Sequence, residues 1–156
     1  MITFLLIIMS LQVILFHVDE YYFHRKRGLS KYEIASAITD GAFYVLPLII
    51  ATFAKFDSIW KTIFIVLAGI SCLSIAKNEL FYPALQVKER IIHSLLYVLH
   101  PILLYSFYIS WKGNFFDAYP NFWILQLLYV AIGFKTVIYQ IIYWNYIHEN
   151  PKPSAK

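Results

Sequence analysis

The chain has 156 residues, of which 60% are hydrophobic and only 14% charged, with a mean hydropathy of +0.62. A soluble domain lies nearer half apolar and a quarter charged, so this composition reads as one integral membrane domain and not as a soluble enzyme. The net charge of +4 sits at the ends of apolar runs, where it sets topology instead of forming a nucleic-acid surface, and the single Cys72 excludes an intrachain disulfide.

Five spans are predicted, each near the roughly 20 residues that a helix needs to cross the hydrocarbon. The first runs from about Ile2 to Tyr22. It has no basic start and no small-residue cleavage site, so it is expected to remain as a span and not to be removed as a signal peptide. It breaks at His24-Arg25-Lys26-Arg27-Gly28. The second runs from about Ile34 to Phe53 around Pro47, and the third from about Lys61 to Ala76, continuing helically through Glu79 toward Pro83. The fourth runs from about Arg90 to Trp111 around Pro101, and the fifth from about Phe122 to Tyr146. Proline is tolerable in a span because neighbouring helices and water satisfy the carbonyl it frees. Trp60, Trp111, Trp123 and Trp144 fall near span ends as interfacial caps. Residues 1–147 are expected to form a single transmembrane helical domain, and 148–156, with Pro151 and Pro153, a cytoplasmic tail.

Basic residues orient this arrangement. Arg25, Lys26, Arg27, Lys31, Lys77, Lys88, Arg90, Lys152 and Lys156 lie on one side of a five-span chain, and Lys55, Lys61 and Lys112 on the other. The positive-inside rule then places the N-terminus outside and the C-terminus inside, in a cytoplasmic (inner) membrane. There is also a weak internal repeat. Asp19-Glu20 answers Asn78-Glu79, Glu33 answers Glu89, and Pro47 answers Pro101. The expected fold is therefore all-α, with spans one to four forming a bundle from a duplicated two-helix hairpin and the fifth span added to it.

The same topology gathers the acids and imidazoles at the cytoplasmic ends of spans one to four. Ionisable groups at membrane depth are expensive and mark functional sites, and carboxylates with imidazoles form a metal-ligand set. Glu20 and His24 are four residues apart, as are Glu89 and His93, so each pair shares a helix face. Di-iron bundles use a related glutamate–histidine arrangement. Glu20, His24, Glu89 and His93 are the first-choice ligands, with Glu33 and Glu79 as bridging carboxylates. His17, Asp19, Asp40 and His100 are further ligands or outer partners. The bland alternative pairs these groups with Arg25, Arg27, Lys77 and Arg90 at the interface. His17 and His24, or His93 and His100, have a spacing that a haem could use, but surrounding carboxylates argue against one. Lys135, mid-way along span five, either snorkels or faces the bundle; Gln126 and Gln140 suit helix–helix hydrogen bonds.

The stretches from His17 to Glu33, Ser71 to Glu79 and Lys88 to Pro101, carrying HxDExxxHRKRGL and ExxxHxxxxxxHP, resemble a group of small uncharacterised bacterial inner-membrane proteins. The resemblance implies further histidines one turn after the acids of spans two and three, where this chain has Ala37 and Tyr82. It also implies Asp where Asn78 stands. Fewer ligands point to one metal, or to a site that has lost its metal, over a dinuclear centre.

The sequence thus supports a membrane protein with a carboxylate/histidine site that takes one or two transition-metal ions, iron or zinc, and no haem. Its expected partners are membrane lipid and an apolar small molecule, not nucleic acid. A metal-dependent enzyme acting on that molecule is the first reading. Proton or cation transport and a structural or assembly subunit are the alternatives, so enzymatic activity stays open at this point. The topology is directly testable. Cysteine introduced at Ser30 should be labelled from the cytoplasmic side and cysteine at Asn114 from the outside; labelling of both from one side would defeat the five-span arrangement.

Overall fold

The computed structural model describes residues 2–81 and 85–148, with side chains at all of these except 78–81 and 116–117. The tail expected beyond His148 lies outside the described residues. The elements are α1 (Ile2–Arg27), α2 (Lys31–Phe53), α3 (Ser58–Phe81), α4 (Val87–Lys112), a short α5 (Phe115–Ala118) and α6 (Pro120–Ile147), with no strand among the described residues. All but α5 are long and apolar enough to cross a membrane. The protein is an all-α, multi-pass membrane bundle, as its composition requires. The helices run a few residues beyond the predicted spans, because polar residues that end a hydropathy run can still continue a helix into the interface.

Local chemistry fixes the first turn. Gly28 closes α1 with φ 72°, a left-handed backbone that a Cβ would disfavour. Ser30 then caps α2 in a reciprocal box: its hydroxyl accepts from the Glu33 amide, and Glu33 Oε2 accepts from the Ser30 amide at 2.7 Å. α2 is the central helix and packs along both α3 and α6, while α1 packs against α4. The fifth span is thus more than an appendage to a four-helix bundle. Both internal prolines, Pro47 and Pro101, lie within continuous helices.

The two ends of the bundle differ. The α1–α2 and α3–α4 connections share a basic end carrying Arg25, Lys26, Arg27, Lys31, Lys88 and Arg90. The opposite end is sealed by aromatic packing of Phe56, Phe64, Trp111, Phe115 and Phe122. Trp111 there donates to the Ala54 carbonyl at 2.7 Å. Between them lies a layer in which Leu48 and Leu103 are fully buried and Phe107 nearly so. Large exposed side chains such as Phe4, Ile14, Ile59, Leu73 and Ile102 face outward, as lipid contact requires of an apolar helix.

α2 and α6 approach closely through two reciprocal glycine–valine contacts. A Cβ on Gly41 would lie 2.9 Å from Val137 Cγ2, and one on Gly133 would lie 2.9 Å from Val45 Cγ2. Small residues at such crossings let backbones meet where no hydrophobic force between helices exists. Gly133→Leu should therefore push α6 from α2 and lower stability in detergent by about 1–3 kcal/mol, the usual cost of overpacking. Gly69→Ala, where a Cβ would meet nothing within 4 Å, should leave the melting temperature nearly unchanged.

Candidate metal centre

The basic end of α1 is a π-helical segment over Asp19–His24. In a regular helix, residues five apart lie about 140° apart around the axis. The wider i→i+5 turn brings them nearer one face. Asp19 and Glu20 consequently both reach the His24 ring. Glu20 Oε2 is 3.2 Å from Nδ1 and Asp19 Oδ2 is 3.3 Å from Nε2. From the facing helix α4, His93 Nε2 lies 3.0 Å from Asp19 Oδ1. The two imidazoles meet edge to face with centroids 5.9 Å apart.

Asp19, His24, Glu89 and His93 each offer one ligand atom, and these atoms all lie within 4.8 Å of one another. Three of the four residues are buried, and His93 is nearly so. This group could hold a metal ion. Two carboxylates and two imidazoles form a nitrogen–oxygen donor set suited to a borderline divalent cation such as zinc or ferrous iron.

The surrounding residues orient that set. Glu20 is 1% exposed, and its carboxylate accepts from Trp144 Nε1 at 2.8 Å and from Gln140 Nε2 at 2.8 Å. A neutral imidazole carries one N–H. If His24 gives it to Glu20 through Nδ1, the Nε2 lone pair faces the group, which is the carboxylate–histidine arrangement that directs a ligand at a cation. Without a cation, Nε2 must carry a proton to face Asp19. On the other flank, Arg27 donates from Nε to Glu89 Oε1 at 3.1 Å and from Nη1 to Glu33 Oε1 at 2.5 Å. Four carboxylates, those of Asp19, Glu20, Glu33 and Glu89, thus cluster around one guanidinium and two imidazoles. Negative charge is in excess there, and protonation of both rings or binding of a divalent cation would remove most of that excess.

The other candidate residues divide as follows. Glu20 stands beside the four-atom group as the partner of His24, and Asp19 stands within it. Glu33 is occupied by its helix cap and by Arg27. Asp40 accepts from the Ser74 hydroxyl across the α2–α3 contact. His17 donates from Nδ1 to the Val13 carbonyl at 2.8 Å and stacks on Tyr21. His100 sits 2.7 Å from the Ser71 hydroxyl and packs on Tyr44. The side chains of Asn78 and Glu79 lie outside the described residues. Gln140 and Gln126 make the helix–helix hydrogen bonds expected of them, to Glu20 and Thr52, whereas Trp144, one turn on from Gln140, was not foreseen as a support of Glu20. Of its basic run, Arg27 turns inward to Glu33 and Glu89, a choice that the sequence left open among the basic residues it offered as partners.

A cavity of about 150 Å³ opens beside the group and runs between α1, α2, α4 and α6. Asp19, His24 and His93 line it at one end and Gln12, Tyr44 and Tyr129 at the other, with mostly apolar surface between. Glu89 does not line it. The Tyr44 and Tyr129 hydroxyls are 2.7 Å apart. Gln12 and Gln140 are buried and line the cavity, and each leaves its amide oxygen without a partner.

No protein-family model matches the chain, and no curated protein or solved structure matches it significantly.

The Arg27 contacts make a prediction. Arg27→Met keeps the volume, strands Glu89 and leaves Glu33 only its helix cap, so thermal unfolding in detergent should show a loss of about 1–3 kcal/mol. That is less than the ~3–5 kcal/mol of a fully buried pair, because Arg27 retains 29% of its side-chain exposure. Lys26→Met should stay within about 0.5 kcal/mol of wild type.

Proposed function

We propose that this protein is a metal-dependent membrane enzyme in which Asp19, His24, Glu89 and His93 hold one divalent cation beside a small apolar or lipid-derived substrate. The carrying observation is the placement of the four-atom ligand group at the mouth of the cavity. Asp19, His24 and His93 border the cavity together with Arg27, and Glu89 stands behind them, so a bound ion would present its accessible side to the cavity's occupant. A bound ion would supply Lewis-acid polarisation of an oxygen on that occupant or on water. The chain's own residues do the rest. Glu20 fixes the His24 ring, and the apolar walls exclude bulk water. The unpartnered amide oxygens of Gln12 and Gln140 select an occupant that brings hydrogen-bond donors, since buried acceptors require a partner. A cavity near 150 Å³ suits a molecule of about benzene size or the head of a larger amphiphile. The basic end carrying the site faces the cytoplasm of a bacterial inner membrane, on the same charge asymmetry that orients the spans.

One observation favours a second reading, proton or cation transfer. Buried polar pairs continue beyond the cavity, from Tyr44–Tyr129 to Gln126 and Thr52, which are 2.7 Å apart. The enzyme reading is preferred because the cavity stops at the tyrosines, and the Leu48, Leu103 and Phe107 layer packs beyond them. Acid-driven proton flux in reconstituted vesicles would reverse that preference.

Untagged purified protein should contain iron or zinc near one ion per chain by mass spectrometry. Asp19→Asn and His93→Ala should lose it, and His93→Ala should also destabilise the protein by about 3–5 kcal/mol, the cost of removing one partner from a buried charged set. Metal should be released as pH falls, because protons compete for the imidazole nitrogens. Ala37→Phe, which fills the cavity wall, should keep the metal and lose the thermal protection given by apolar ligands. A metal-loaded His93→Ala protein of wild-type stability would remove the proposed centre.

A further inference from the structure

A second cluster of charge lies away from the metal-ligand group, on the outer side of the α1–α6 contact. On α1, His17, Tyr21 and Arg25 follow one another at four-residue steps, and on α6 so do Lys135, Tyr139 and Tyr143. The two rows interlock. Tyr21 and Tyr139 have ring centroids 4.7 Å apart, and Tyr139 stacks on Tyr143 at 5.1 Å. The Arg25 guanidinium lies over three of these rings, closest to Tyr143 at 4.5 Å, and donates from Nε to the Tyr139 hydroxyl at 2.7 Å. Lys135 Nζ donates to the Tyr21 hydroxyl at 3.0 Å. Both cations are exposed, and among the described residues neither forms an ion pair with a carboxylate.

This arrangement is unusual for its position. Lys135 projects from α6 roughly 18 Å along the axis from the Ile147 end, at about 1.5 Å per residue, so it emerges inside the membrane-spanning part. An ammonium at that depth is costly unless it reaches toward the interface or finds a counter-charge. The tyrosines hold it toward Arg25 but bring no negative charge. Among the described residues no carboxylate pairs with either cation, so the cleft, which faces lipid, is left with a net positive charge that an anionic occupant would match. Exposed Ile14 and Val18 on α1, and Ile138 and Ile142 on α6, continue the same two helical stripes with apolar surface. An occupant of this cleft therefore carries a negative head and a hydrocarbon tail.

We propose that the α1–α6 cleft binds an anionic phospholipid, with Arg25 and Lys135 on the phosphate, the tyrosine hydroxyls framing it and the acyl chains along the Ile14–Val18 stripe. Basic pockets between membrane helices bind phospholipid headgroups in this way. The guanidinium matches a phosphate with paired N–H donors, and the ammonium adds a point charge. The site is separate from the metal group and does not depend on it.

The test is native mass spectrometry of the purified chain released from nanodiscs of phosphatidylcholine with one-fifth phosphatidylglycerol. Wild type should retain phosphatidylglycerol in preference to phosphatidylcholine by about tenfold or more. The double variant Arg25→Gln/Lys135→Gln should lose that preference, Arg25→Lys/Lys135→Arg should keep it, and Lys26→Gln should be unaffected. Inorganic phosphate at millimolar concentration should not displace the lipid. Should the double variant fail to fold, each single variant, with the other cation intact, should show an intermediate preference. Retention of the full wild-type preference by the glutamine variants would overturn the proposal. Displacement of the lipid by inorganic phosphate would overturn it too, since the cleft would then bind a free anion and have no need of the acyl chains.

Discussion

Four carboxylates share the basic end of an apolar bundle with one inward-facing guanidinium, and the packing there answers that imbalance. A buried carboxylate is tolerable only when it is hydrogen-bonded or paired. Glu20 receives an amide and an indole from α6, and Glu33 and Glu89 divide Arg27 between them. Asp19 is left facing two imidazoles, one on its own helix and one on α4. Its charge is neutralised only when protons or a cation join those rings. The helix contacts α1–α4, α1–α6 and α1–α2 at this end each include at least one of these carboxylates. The site and the bundle's closure are therefore one set of interactions.

Backbone irregularity is what makes this possible. The π segments Asp19–His24 and Tyr143–Ile147 stand opposite each other, and the Trp144 indole of the second reaches Glu20 of the first. The first places two adjacent carboxylates on one imidazole, which a regular turn would not do. A closely packed far end complements it, where aromatic rings seal the bundle beyond the wholly buried Leu48 and Leu103. Among the described residues the buried carboxylates are confined to the basic end, while the far end buries neutral polar groups such as Gln126 and Thr52.

The fold was legible because the constraint behind it is coarse. Apolar length and turn signals such as Gly28 and Ser30-x-x-Glu33 are local properties, and each span appears near its expected bounds. The Glu89–His93 pair was legible for the same reason, since a four-residue step fixes a shared face in a regular helix. The choice between Asp19 and Glu20 was not, because it depends on a π turn that residue types do not announce. Nor could the sequence say which basic residue of Arg25-Lys26-Arg27 turns inward. Helix rotation decides that: Arg27 meets the acids, Arg25 lies on tyrosines of α6, and Lys26 sits over Tyr22. Glu33 and Glu89, which answer each other in the internal repeat, end on the same guanidinium, a long-range convergence that no spacing within one helix encodes.

The position one turn after Glu33 bears on how many ions such a site can serve. A second ion would need ligands from α2, and the first turns of that helix offer little. Glu33 is engaged by the Ser30 cap and by Arg27, and Asp40 is engaged by Ser74. Ala37, between them in sequence, lines the cavity. A ligating side chain there would project into the space that the cavity now occupies beside Asp19 and His93. Fewer ligands on α2 and more room next to the four-atom group are thus the same structural fact. That trade favours a single cation with an apolar molecule beside it over two bridged cations in a filled core.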